Sequence, residues 1–216
     1  MGNDNRPRGT IRLKPTAGAP PRQGAPVRPD TALTRPAPQA RVPGRGILQV
    51  NLNWSVATEA DLDLGCLVSF VDGSGVAVQP LGNAFGSLVA WPYVELDQDD
   101  RSGASSDGET LRVDLAHRDE FRQLLFYVYV YQGAVDFRRL GAVATMTAPS
   151  GTFRIALDDS PSGATGCAIA RAAADPDGLT VRREVRWFSG TERHSVQEAM
   201  DRAYGFGFPW VWGTKD

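Results

Sequence analysis

The 216-residue chain is 42% hydrophobic, with a formal net charge of −2, 15 prolines and two cysteines; that suffices for one domain with a sizeable core plus a tail, and falls short of two separate cores. No run of about 18 apolar residues occurs, and residues 1–7 lack the apolar stretch of a secretory leader, so a transmembrane helix is excluded and the expected compartment is the cytoplasm. Cys66 and Cys167 stand 101 positions apart in apolar segments without a CxxC or Cys/His spacing, which reads as two buried free thiols rather than zinc or redox chemistry.

Residues 1–46 hold nine of the 15 prolines and carry a net charge of +7, while the remainder carries −9. A segment so poor in aromatic and β-branched clusters cannot bury enough apolar surface to offset its ordering entropy, so it is expected to be a disordered, Pro/Arg-rich arm of polyproline character. Its charges are thinly spread and no aromatic residues interleave them for base stacking, which favours a tether over a nucleic-acid contact.

From Ile47 onward, short runs of period 2 replace this composition. Strands are expected over 47–54, 64–71, 76–79, 111–115, 123–131, 141–148, 152–158, 166–172 and 179–188, separated by turn signals such as Asp72-Gly73 and Asp177-Gly178. In the run from Gln123 to Tyr131 both alternating sets are large, so both faces of that strand are expected to be covered. One helix is expected over 195–203, with Ser195 as N-cap, Glu198 completing a capping box and Gly205 beyond its end. The fold class this implies is all-β: a β-sandwich of two mainly antiparallel sheets over 47–216, with one short C-terminal helix, behind the arm of 1–46.

The densest polar constellation runs from Asp97 to Glu109, with five carboxylates and one guanidinium in 13 residues. Carboxylates crowded on one Gly/Ser-rich loop repel one another; such a loop either stays solvated or wraps a hard cation with oxygen ligands. Its spacing is not that of an EF-hand, since Arg101, Ser102 and Gly108 occupy the fifth, sixth and twelfth positions counted from Asp97. A second acidic pair, Asp61 and Asp63, opens a strand; side chains two apart share a face there, while Leu62 and Leu64 turn to the core.

These two segments resemble the TerD-domain tellurium-resistance family, whose members pair a DxDLD-like strand start with a downstream acidic loop. Asp61-Leu62-Asp63-Leu64 resembles the first motif, and Gln98 to Gly103 followed by Asp107-Gly108-Glu109 resembles the second. Asn53-Trp54, the run from Ala77 to Asn83 and the run from Asp201 to Gly205 are similar to the TerA-like branch. The resemblance covers roughly residues 47–210 and implies a β-sandwich that binds Ca²⁺ through Asp61, Asp63, Asp99, Asp100, Asp107 and Glu109. It further implies a part in tellurite and stress resistance, with other Ter-family proteins at the inner membrane face as partners. Two departures stand out: Gly65 replaces a third Asp of the family motif, and the loop is one residue short between Gly103 and Asp107. Fewer carboxylates mean weaker or fewer ion sites.

Enzyme chemistry finds little footing. His117 and His194 are isolated, no GxSxG, Walker loop or HExxH is present, and the carboxylates cluster on one loop rather than facing each other across a cleft. A non-enzymatic module is therefore expected. The competing reading is an ion-independent interaction protein that uses the basic arm and the aromatic C-terminus, where Tyr204, Phe206, Phe208, Trp210 and Trp212 occupy every second position, to hold membrane, nucleic acid, a partner protein or a second copy of itself.

Overall fold

The computed structural model describes residues 30–54, 61–97, 108–133, 136–191 and 194–211. They form two facing sheets. The seven-stranded sheet has the order β1 (Asp30–Ala32), β11 (Gly151–Ala156), β10 (Val143–Ala148), β3 (Ile47–Asn53), β8 (Glu109–Asp114), β7 (Val94–Leu96) and β6 (Gly86–Ser87). The six-stranded sheet has the order β2 (Gln39–Pro43), β13 (Gly178–Phe188), β12 (Gly166–Asp175), β9 (Phe121–Gln132), β4 (Asp61–Phe70) and β5 (Gly75–Val78). Every pairing is antiparallel except β1 on β11. The all-β, two-sheet expectation is borne out, and each expected strand is present.

The alternation read in the sequence places side chains as expected. Leu48, Val50 and Leu52 of β3 face Leu62, Leu64, Cys66 and Val68 of β4 and Leu124, Phe126 and Val128 of β9 in one buried core between the sheets. Leu125, Tyr127 and Tyr129 of β9 lie on the opposite face with Leu67, in a second apolar layer closed by α2 (Val196–Tyr204) through Val196 and Met200. Both faces of β9 are thus covered, which is why its sequence is large and apolar at consecutive positions. Cys66 and Cys167 are buried free thiols, and burial pushes both thiols well above their ordinary range.

Ser195 caps α2 by accepting the Glu198 N–H at 3.1 Å, and Gly205 closes it in the left-handed region at φ 75°. The Glu198 carboxylate does not complete the expected box; it turns to the His194 ring at 2.9 Å and to Arg202 at 2.7 Å. Beyond α2 the aromatic strip folds back onto its own sheet: Tyr204, Phe206, Phe208 and Trp210 are half-buried against the second layer. Asp201, itself 2% exposed, fastens them by accepting the N–H groups of Gly207 at 2.5 Å and Phe208 at 2.8 Å and the Trp210 indole N–H at 2.6 Å.

The expected boundary at residue 46 needs correction. Residues 30–46 contribute β1 to the edge of one sheet and β2 to the edge of the other, and Leu33 and Val42, at 3% and 0% exposure, enter the main core. The segment straps the two sheet edges together. Prolines are compatible with this because both strands are at edges, where a missing N–H costs no central ladder bond. Residues 1–29 lie outside the described residues. Short elements absent from the sequence reading include the edge strands β6 and β7, and α1 (Phe137–Leu140), where Phe137 packs on Trp187 with ring centroids 5.0 Å apart.

Candidate functional site

β4 begins before its neighbour does. Its residues Cys66–Ser69 pair with β5, whereas Asp61–Gly65 extend past the end of that strand and pair, among the described residues, with β9. Asp61 and Asp63 stand on this overhang, at 6% and 0% exposure. Glu109, the first residue of β8 and fully buried, comes from the opposite sheet, and its carboxylate accepts the backbone N–H of Leu64. That N–H belongs to the overhang, so Glu109 supplies the acceptor that β5 does not.

Gly108 makes this presentation possible. Its φ is 61°, and a Cβ on it would lie 2.2 Å from the Leu52 carbonyl oxygen; a side chain would push the start of β8 off β3. The acidic loop departs from the same point. Asp97 and Glu109 flank it, with Asp97 donating its N–H to the Thr110 carbonyl at 3.0 Å and pairing with Arg112 at 2.8 Å. β3 ends beside Glu109, which pairs with Leu52. Asp99, Asp100 and Asp107 lie outside the described residues. Among the described residues no group of three or more His, Cys, Asp and Glu side chains is gathered closely enough to hold a metal ion.

Tyr129 sits opposite Asp63 in the β4–β9 ladder. Burial first, and then the Asp63 carboxylate, Tyr127 and the Glu109 carboxylate, raise its phenol far above the ordinary range and keep it protonated. Asp63 and Glu109 therefore bear on one hydroxyl from two sheets. Their donor set is all oxygen and anionic, the chemistry that suits a hard divalent cation, and buried carboxylates require such compensation from ions or hydrogen-bond donors.

Gly65 explains one departure from the family motif. It faces Tyr127 directly in the ladder, and a Cβ there would lie 2.4 Å from the Tyr127 Cζ. The ring fills the place of a side chain at residue 65, and its hydroxyl donates to Gln79 Oε1 at 2.7 Å. Sequence reading singled out neither Tyr127, Tyr129 nor Gln79 as part of the site. The signal was the size of both alternating sets in β9, which marked the strand as covered without showing by what. His117 stacks on Tyr93 with centroids 3.5 Å apart and bonds Glu120 at 2.7 Å, a surface arrangement that follows the opposite end of β8 from Glu109.

No family model matches the chain. The tellurium resistance protein TerA of an Alcaligenes species is 36% identical to it over 185 residues, which covers 79% of this chain and 53% of that protein. This chain forms a Ter-family tellurium-resistance domain. The Ter domain here spans about half the length of that curated relative. Among solved structures, a homologue of the telluride resistance protein TerD from Streptomyces coelicolor A3(2) superposes with a TM-score of 0.51 at 16% identity, over 69% of this chain and 94% of that one. A crystal structure of a protein of unknown function gives 0.53 at 15% identity, with the same coverages. Both show the shared fold of the Ter domain. No helix among its described residues is long and apolar enough to cross a membrane.

Proposed function

We propose that this Ter domain is a Ca²⁺-binding, non-enzymatic module of the tellurite and stress-resistance system, serving as a scaffold or sensor beside other Ter-family proteins at the inner membrane face. One observation carries the reading: three carboxylates, Asp61 and Asp63 at the start of β4 and Glu109 at the start of β8, are buried, and the Glu109 carboxylate bonds the Leu64 N–H of β4. Asp61, Asp63 and Glu109 would hold the ion from the sandwich, and Asp99, Asp100 and Asp107 from the loop. Ca²⁺ supplies positive charge that lets these oxygens lie together, ordering the loop against the rigid sheet end. Gly65, filled by Tyr127, removes one carboxylate from the set, which favours fewer ions than a fuller motif would hold.

The test is thermal unfolding of the purified protein in EDTA, in Ca²⁺ and in Mg²⁺, followed by calorimetric titration to count sites. The expected result is a rise in midpoint specific to Ca²⁺; at a hundredfold excess over Kd, binding adds about 2.7 kcal/mol. The rise disappears in the double variant Asp61→Ala, Asp99→Ala. Equal midpoints in EDTA and Ca²⁺ would overturn the reading.

A further inference from the structure

A cleft of about 1160 Å³ opens on the outer face of the six-stranded sheet, between the β5 edge, the turn leading into α2, and the C-terminal strip. That volume lies somewhat above the usual range for a small-molecule site. Phe208, Pro209 and Trp210 wall one side, with the Phe208 and Trp210 ring centroids 6.3 Å apart, and the indole N–H bond to Asp201 fixes the Trp210 ring in place.

Two buried amides line this cleft. Gln79 is 6% exposed; its Oε1 accepts from Tyr127, which leaves its NH₂ group to serve the cleft. Gln197, on the first turn of α2 at 4% exposure, has no hydrogen-bond partner for its amide among the described residues. Neither amide is sealed from solvent, so water serves both in the open cleft and the carbonyl of an occupant can take its place. The charged groups at the rim, His194 and Glu198, are engaged with each other and with Arg202. The cleft therefore presents aromatic rings and amide donors rather than an unpaired charge.

That combination matches a polyproline II segment, whose carbonyls have no internal hydrogen bonds and whose rings stack in aromatic grooves. The chain has a segment of suitable composition. Residues 1–29 contain six prolines and a net charge of +5, against −7 for residues 30–216. They join the sandwich at Asp30, on the edge strand β1. In polyproline II form, 29 residues reach about 90 Å, whereas the six strands of the sheet span only about 25 Å at their usual spacing.

We propose that the cleft is a docking groove for a proline-rich segment and that its occupant is the chain's own N-terminal segment, residues 1–29. The groove does not depend on a bound cation. The test uses the full isotopically labelled chain carrying a nitroxide at Ala25→Cys; the two native thiols are buried and stay unlabelled in the folded protein. The expected result is paramagnetic loss of the Gln79 and Gln197 side-chain amide signals and of the Trp210 indole signal, with the outer face of the other sheet, at Gln49 and Thr145, unaffected. The same loss must vanish in the variant Pro20→Ala, Pro21→Ala, Pro26→Ala, whose positions lie outside the sandwich. Uniform or absent broadening, or broadening that survives the proline replacements, would overturn the proposal. Broadening that arises in a mixture of nitroxide-bearing and isotope-labelled chains would overturn the intrachain assignment and place a second copy's segment in the groove.

Discussion

The Glu109 carboxylate, carried by the first residue of β8, accepts the backbone N–H of Leu64 from the sheet across the core. This bond has two separable consequences. As a structural acceptor, the carboxylate satisfies a buried N–H that β5 leaves behind; as a charge, it stands with Asp63 beside Tyr129.

Glu109→Ala is expected to lower stability by about 1–3 kcal/mol in urea titration in the presence of EDTA, because it orphans a buried donor. Glu109→Gln retains an acceptor oxygen and should keep most of that stability. If Glu109 also holds Ca²⁺, the Gln variant loses the Ca²⁺-dependent rise in midpoint while its EDTA midpoint stays near the wild type. A Gln variant with an intact Ca²⁺ response would confine Glu109 to the structural role.

Gly65→Ala tests the contact that separates this chain from the fuller family motif. The added methyl meets the Tyr127 ring at 2.4 Å, and the register directly opposite leaves no room for the strand to slide. The ring must move and release Gln79, a loss of about 1–3 kcal/mol by overpacking. Chemical denaturation of Gly65→Ala, Tyr127→Leu and the double variant gives the coupling; the double variant is expected to be more stable than the sum of the single losses predicts. Additive losses would show that the ring does not define the space at residue 65.

The strands and α2 were legible because burial on one face imprints a period on the sequence: Leu48, Val50 and Leu52 alternate with Gln49, Asn51 and Asn53 for that reason alone. Asp61 and Asp63 were legible as a pair sharing a face for the same reason. Three things were not. Leu33 and Val42 are single buried residues among prolines and arginines, and averaging over 46 residues conceals them. The Glu109–Leu64 bond joins residues 45 apart and depends on β5 being short, which no local pattern encodes. The cleft is a space between a turn, an edge and a tail, and space has no periodicity.

Asp201→Ala should release the aromatic strip. Three N–H donors, from Gly207, Phe208 and Trp210, converge on one buried carboxylate. Hydrogen bonds to charged groups contribute about 1.5–3 kcal/mol each, so a loss of about 2–4 kcal/mol is expected after partial rehydration. Hydrogen exchange at the Gly207 and Phe208 amides should accelerate more than exchange at Val128 in the central strand β9. Equal acceleration at both places would mean that the strip and sheet unfold together and that Asp201 does not hold the strip independently.

Asp159 ties the strap of residues 30–46 to the sandwich, and its titration makes that tie pH-dependent. Its carboxylate accepts from Arg35 at 2.7 Å and from the Trp187 indole at 2.9 Å, with Arg183 at 3.9 Å. Partial burial alone would raise its pKa; the Trp187 hydrogen bond and the Arg35 charge outweigh burial and hold it below the ordinary value. A carboxyl depressed in the folded state stabilises above its unfolded value, near pH 4, and loses that contribution as pH falls through the folded value. Asp159→Asn keeps an oxygen for Trp187 and removes the charge. Wild type is therefore expected to be the more stable at neutral pH, with the difference shrinking as pH falls from about 5 to about 3. Hydrogen exchange at Leu33, whose N–H donates to the Arg154 carbonyl at 2.9 Å, should accelerate in the variant at neutral pH. A stability difference that stays constant across this range would show that the charge of Asp159 contributes nothing to holding the strap.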